Sequence, residues 1–195
     1  MHAGPLEIGE SELVFHGHVT AKGEDAVFIT FESRLAAFYD FEKIYAHPED
    51  LYPLLVERRI KNFGFSTDIV EDYNPEDKNL EIMRKGPFSN ENKFIQKDDP
   101  IQNPLLLVYY CRRLCFAGAE PGHRFKVVLP LSEFDLILTG IEKVETPAGA
   151  FDAYLFESDP EQVRFWIAKD EHYTPLKVEN LTSFGPTSLT LKKTD

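Results

Sequence analysis

Apolar residues recur at every second position along most of this chain, and turn-forming residues interrupt them at short intervals. Successive side chains of an extended strand point to opposite faces, so such alternation marks sheets with one face turned inward. Leu13 and Phe15 alternate with Val14 and His16, Lys22-Gly23-Glu24-Asp25 supplies a turn, and Val27, Ile29 and Phe31 share one face of a second strand. That is a hairpin pattern. Residues 35–39 read as a short turn of helix, followed by strands over 41–46 and 54–62 about His47-Pro48-Glu49-Asp50. Strands over 65–73 and 80–84 pair across Asn74-Pro75-Glu76-Asp77-Lys78, a strong turn signal.

Residues 86–92 are polar without periodicity and read as an exposed loop before a short strand over 93–96. Asp98-Asp99-Pro100 then opens a helix over residues 101–114. An acidic first turn and an early proline suit a helix start, and Pro104 still falls within the first turn or so. Arg112-Arg113 sits at the end, where the helix dipole favours cations. Strands resume over 124–129, 136–144, 151–157, 163–168, 176–181 and 188–192. In Thr146-Pro147-Ala148-Gly149, proline fixes φ and glycine admits φ > 0, which builds a tight turn. Pro175 suits the first position of a strand, where its missing N–H does no harm. One helix among about ten to twelve strands leaves no room for βαβ units. The expectation is a mainly β fold: a single curled antiparallel sheet, barrel-like or a half-open barrel, with residues 1–195 as one all-β domain.

The 195 residues include 16 Phe and 8 Tyr, too much apolar bulk for a disordered chain. A formal net charge of -12 argues against nucleic-acid binding and against an anionic membrane face, both of which select for Lys and Arg. No apolar run approaches the roughly 20 residues of a membrane-spanning helix. Met1-His2-Ala3-Gly4-Pro5 has neither the basic start nor the apolar stretch of a signal peptide. Cys111 and Cys115 fall four apart, which on a helix separates their Cβ atoms by about 6 Å, beyond the roughly 3.5–4.5 Å a disulfide needs. No second cysteine pair completes a zinc site, and the redox compartment stays open.

Few residues carry the pattern of a chemical site. His16 and His18, two apart on a strand, share a face and form a weak candidate metal pair if a carboxylate joins them. Asp170, Glu171 and His172 form an acid–base group in a turn, as Glu49-Asp50 does after Pro48; turns collect such residues for local hydrogen bonds. Serines lie beside no nucleophile elbow, and no glycine-rich loop leads into a helix. No catalytic residue, metal or cofactor is expected. Arg112 and Trp166 are the candidate ligand-binding residues. Arg112 is either an anchor for an anionic headgroup or a clasp from helix to sheet, and Trp166 is core or pocket lining with its N–H bonded.

Val144-Glu145-Thr146-Pro147-Ala148-Gly149-Ala150-Phe151-Asp152 is similar to the V-x-T-P-A-G-x-F-D hairpin of a bacterial exported family described as domain of unknown function 3108. Tyr109-Tyr110-Cys111-Arg112 resembles that family's Y-Y-L-R helix end, and Pro121-Gly122-His123-Arg124-Phe125 its x-G-x-x-F strand start. Val163-Arg164-Phe165-Trp166-Ile167, Thr174-Pro175-Leu176-Lys177-Val178 and Phe184-Gly185-Pro186-Thr187-Ser188-Leu189 look like its later strands, so the resemblance spans residues 3–191. It implies a curled antiparallel sheet and an exported, periplasmic protein, with a cytoplasmic location as the alternative. The early Ala3-Gly4 departs from the family's longer first strand and fits removal of a leader. No activity is established for the family, so chemistry does not transfer.

Three functions follow in order of expectation. The first is a non-enzymatic cell-envelope protein holding a lipid-like or peptide ligand in the concavity of its sheet, its partner an apolar or amphiphilic small ligand or another envelope protein. The second is a structural or interaction module with a filled core. The third is a hydrolase of an envelope polymer, which needs two converging carboxylates. Oligomeric state is left open.

Overall fold

The computed structural model describes residues 9–182 and 185–192. The chain divides into two compact units, Met1–Ile101 and Gln102–Asp195. The first is a seven-stranded antiparallel meander in sequential order: β1 (Glu10–Ala21), β2 (Glu24–Leu35), β3 (Phe38–Ala46), β4 (Pro53–Asn62), β5 (Phe65–Asn74), β6 (Asn79–Lys85) and β7 (Asn90–Gln96). The second holds a 3-10 turn (Pro104–Leu106), helix α1 (Leu107–Phe116) and six strands: β8 (Arg124–Val128), β9 (Glu133–Thr146), β10 (Gly149–Asp159), β11 (Val163–Ala168), β12 (Pro175–Thr182) and β13 (Gly185–Thr190). These six also pair antiparallel in sequence order.

The fold is mainly β, with 63% of residues in strands, but the single curled sheet is not what forms. There are two open sheets. The stretch after β7 explains the break: Pro100 and Pro104 lack the N–H a ladder needs, and α1 spends its backbone bonds internally. A strand ladder therefore does not run through it.

Helix α1 begins later than expected. Asp98-Asp99-Pro100 carries the composition of a helix start, but the cap is Asn103, whose side chain accepts a bond from the Leu105 N–H, with Pro104 at the first position. Residues 101–103 are not helical, Asn103 being extended, and Gln102 is stitched to β8: its N–H donates to the Val128 carbonyl (2.7 Å) and its side-chain oxygen accepts from the Val128 N–H (3.1 Å). Helix α1 lies against β11 and buries Leu107, Val108, Cys111 and Cys115.

Residues 35–39 are not helical either. Leu35 ends β2, Phe38 opens β3, and Ala36 takes φ +38° in the hairpin turn between them. The supposed loop 86–92 is shorter than expected, since β7 already starts at Asn90. β11 matches its expected bounds, and β12 begins at Pro175.

In the first unit, odd residues of β2, even residues of β3 and Val56 of β4 point to one face, which buries Val27, Ile29, Ile44, Ala46 and Val56, whereas a bulge opposite Tyr45 and Ala46 sends Leu54 to the other face, where it packs with Ala21 and Ala26. β5 and β6 continue it with Tyr73 opposite Leu80. In the second unit the four residues from Phe165 to Ala168 are all buried, so this central strand packs on both faces. Trp166 packs with Val144, Ala153, Ala168 and Leu176.

Gly149 has φ +134° and closes the β9–β10 hairpin opposite Thr146, whose hydroxyl accepts from the Ala148 N–H and donates to the Gly149 carbonyl. A β-branched residue is strained at that φ. Gly149→Val is expected to lower the unfolding free energy by more than about 1 kcal/mol in chemical denaturation; an unchanged midpoint would contradict this account of the turn.

Candidate functional site

The expected site residues are dispersed. His16 and His18 do not share a face, because a β-bulge sits between Phe15 and Gly17, with Gly17 at φ +91°. The extra residue reverses the alternation. His16 stacks on Phe28 (4.8 Å) and bonds the Thr30 hydroxyl (2.8 Å), whereas His18 is paired with Val27 and meets Asp25 at 3.3 Å. Residues 28 and 30 lie on one face of β2, and residues 25 and 27 on the other.

Arg112 donates through Nε to the His172 carbonyl (2.9 Å) and lies over the Phe116 ring (5.5 Å), tying α1 to the turn after β11. In that turn Asp170 accepts from the His172 and Thr174 N–H groups, and Glu171 meets His172 at 3.2 Å with both side chains exposed. Asp50 likewise accepts from the Tyr52 N–H. Trp166 is 5% exposed; its indole N–H donates to Glu142 (2.6 Å), and the Lys177 ammonium sits 4.7 Å from the ring centre. Cys111 and Cys115 are free. Burial pushes both thiols up, Cys115 to about 12, so neither is an activated nucleophile.

A different group stands out, on the core-bearing face of the seven-stranded sheet. Alternation along β3 places Asp40 and Glu42 on the same face as Ile44 and Ala46, and along β4 it places Arg58 with Val56. Glu42 lies directly opposite Arg58. The guanidinium donates Nε to one oxygen of Asp40 (2.9 Å) and Nη2 to the other (2.5 Å), while Nε also lies 3.1 Å from Glu42. On β5 the next residues of this face are Glu71 and Tyr73, joined by a hydroxyl–carboxylate bond of 2.6 Å. Ser33 on β2, opposite Asp40, is buried and accepts from the Ser11 hydroxyl (2.9 Å).

The electrostatics follow from burial. The side chains of Asp40 and Glu42 are 6% and 9% exposed, and that of Arg58 31%. Burial drives the Glu42 carboxyl up to about 7; Arg58 opposes this, while Asp40 and Glu71 reinforce it. The bond to Asp40 raises Arg58 above its ordinary value despite burial. Three carboxylates thus surround one guanidinium, and at neutral pH the excess is relieved by a shared population of protons on Glu42. Such a group can exchange a proton or accept a second cation. Its other two carboxylates are engaged: both oxygens of Asp40 hold Arg58, and Glu71 accepts from the Tyr73 hydroxyl.

Sequence reasoning missed this cluster, although its signal was present: in β3 the parity that carries Ile44 and Ala46 also carries two acids, and in β4 it carries an arginine. Elsewhere, an open depression of about 230 Å³ on the β6–β7 hairpin is lined by Glu81, Ile82, Met83, Asn92, Lys93 and Phe94. Among the described residues no three His, Cys, Asp or Glu side chains are grouped to hold a metal, and no helix is long and apolar enough to cross a membrane.

Among protein families, the one described as Protein of unknown function (DUF3108) matches residues 1–192. No curated protein and no solved structure matches the chain. With nearly its whole length covered by that match, the chain belongs to the DUF3108 family.

Proposed function

We propose that the chain is a non-enzymatic binding module of the cell envelope, exported to the periplasm, which holds a lipid-like or peptide ligand by a cationic group at the Asp40–Glu42–Arg58 cluster. The observation that carries this reading is the excess of buried carboxylate over cation, expressed in the raised Glu42 carboxyl. An ammonium or guanidinium placed beside Glu42 replaces its proton and balances the site, a strong charge-assisted contact in a place sheltered from water. A hydrolase is less well supported: acid and base carboxylates must both be available, whereas Asp40 is held at both oxygens and Glu71 accepts from the Tyr73 hydroxyl. The envelope location rests on the resemblance of the Val144-to-Asp152 hairpin and the strands after it. Arg112 and Trp166 are read as structural, the one clasping a turn carbonyl and the other satisfied by Glu142.

Two outcomes follow from the Glu42 carboxyl. Its folded value of about 7 lies above the ordinary 4.5, so the native state keeps a proton that the unfolded chain releases between those values. Its contribution to stability is therefore full below about pH 4.5 and declines as pH rises through 7, by at most about 3 kcal/mol. Guanidinium unfolding across this range should show the difference between the wild type and Glu42→Gln changing in that direction; a pH-independent difference would mean that Glu42 ionises normally. For binding, dodecylammonium titrated calorimetrically at pH 7 in buffers of different ionisation enthalpy should release a fraction of a proton per ligand. Glu42→Gln should remove that release and weaken binding. Equal binding by the variant, or none by the wild type, would sink the proposed site.

A further inference from the structure

The seven-stranded meander has two ends, and they are chemically opposite. One carries the β1–β2, β3–β4 and β5–β6 turns: residues 22–25, 47–52 and 72–78 hold seven acidic side chains against Lys22 and Lys78. The other carries the β2–β3, β4–β5 and β6–β7 turns. Across residues 34–39, 59–68 and 84–91 it holds Arg34, Arg59, Lys61, Arg84 and Lys85 against Asp68 and Glu91. Glu10 at the start of β1 also lies at this end, opposite Arg34; Arg34 and Arg59 are exposed but ion-paired to Glu32 and Asp68, while Lys61, which lies over the Tyr39 ring, Arg84 and Lys85 are exposed cations beside them.

Three phenylalanines stand among these cations in water. Phe63 is 80% exposed, Phe65 52% and Phe88 83%. Phe65 and Phe88 bring the two neighbouring turns together, with ring centres 5.2 Å apart. The Phe63 N–H donates to the Ala37 carbonyl, so the β2–β3 turn lies alongside as well. Phe63 is misplaced twice over by the rules of folding. Its side chain lies in solvent, and with Gly64 (φ +83°) it occupies the left-handed pair of a two-residue hairpin turn at φ +46°, where asparagine is the favoured residue. A bulky residue held in such a conformation, with no packing to explain it, points to a role outside the fold.

We infer that this end of the sheet docks on an anionic lipid surface, inserting Phe63, Phe65 and Phe88 at the headgroup level while Lys61, Arg84 and Lys85 contact the lipid phosphates. Aromatic rings flanked by Lys and Arg are the composition that anchors a protein at a bilayer interface. The three rings expose on the order of 400 Å², about half of what one side of a stable protein–protein interface buries, so a second folded partner is poorly supplied. The chain-wide charge of -12 disfavours an anionic surface in general, so the docking rests on the local charge of this one end, and the opposite turns, seven acids against two lysines, hold the densest acidic group. Strands β4 and β5 have ten residues each, which sets the acidic end roughly 30 Å away, several times the screening length of about 8 Å at physiological salt. The inference is independent of the Glu42 site: loss of cation binding there leaves it untouched.

Co-sedimentation of the full chain with phosphatidylcholine vesicles, with and without phosphatidylglycerol, tests it. The wild type should pellet with the anionic vesicles and not with phosphatidylcholine alone. Lys61→Gln and Lys85→Gln should each weaken partitioning about fivefold. Phe63→Asn and Phe88→Ser should each weaken it about tenfold. Phe63→Asn suits the turn better than phenylalanine does, so its Tm should hold or rise, separating lost docking from lost folding. Absence of wild-type binding to anionic vesicles, or binding indifferent to the four substitutions, overturns the inference. So does light scattering that shows the wild type self-associating through this end and Phe63→Asn monomeric, which would make a second copy of the chain the occupant.

Discussion

Arg58 is the residue on which the first sheet depends. Two carboxylates on the buried face of a sheet cost several kcal/mol each in lost hydration unless a partner with matching geometry compensates them. A guanidinium does this for Asp40 with two parallel bonds and reaches Glu42 with the same edge. Because Glu42 and Arg58 are directly opposed, the contact exists in one register of β3 against β4. Slipping the pair by one residue would turn Arg58 to the other face, leave both acids unpaired, and turn Val56 out of the core. The charge cluster and the apolar core therefore select the same alignment.

That arrangement grades the face along its strands. Ala46, Val56, Tyr73, Leu80 and Ile95 make one stretch apolar, and Ser33, Asp40, Glu42 and Arg58 make the other polar. The second unit treats its buried polar groups differently. Trp166 and Glu142 satisfy one another within an aromatic and aliphatic cluster, Ser158 binds the β10–β11 turn through its hydroxyl, and Gln102 and Asn103 complete the backbone around β8 and α1. In the second unit such groups fix geometry. In the first, one of them titrates near neutrality, which is why the functional reading rests there.

Period-two alternation made most strands legible, because their buried and exposed faces differ and their turns carry Gly, Pro, Asn and Asp. β11 and the Thr146–Gly149 turn were readable to the residue. What alternation cannot encode is which strands pair across a long interruption, so two sheets read as one. The helix start was misplaced because Asp98-Asp99-Pro100 and Asn103-Pro104 both have capping composition, and only tertiary bonds from Gln102 to Val128 decide between them. Gly17 concealed a bulge that sends His16 and His18 to opposite faces. The Arg58 cluster stayed hidden for a related reason: a charged residue on the apolar parity reads as an exception in one strand, and becomes a site only when β3 and β4 are set in register.

If Arg58 is what permits the burial of Asp40 and Glu42, its worth lies in the coupling between them. A thermodynamic cycle by chemical denaturation, with Arg58→Met alone, Asp40→Leu with Glu42→Gln, and all three together, isolates that coupling. Arg58→Met alone should cost about 3–5 kcal/mol, the penalty of buried charge left without its partner. The triple variant should recover most of it, since no uncompensated charge remains at the pair. A single variant near wild-type stability, or costs that simply add, would show that the guanidinium does not hold the first sheet together.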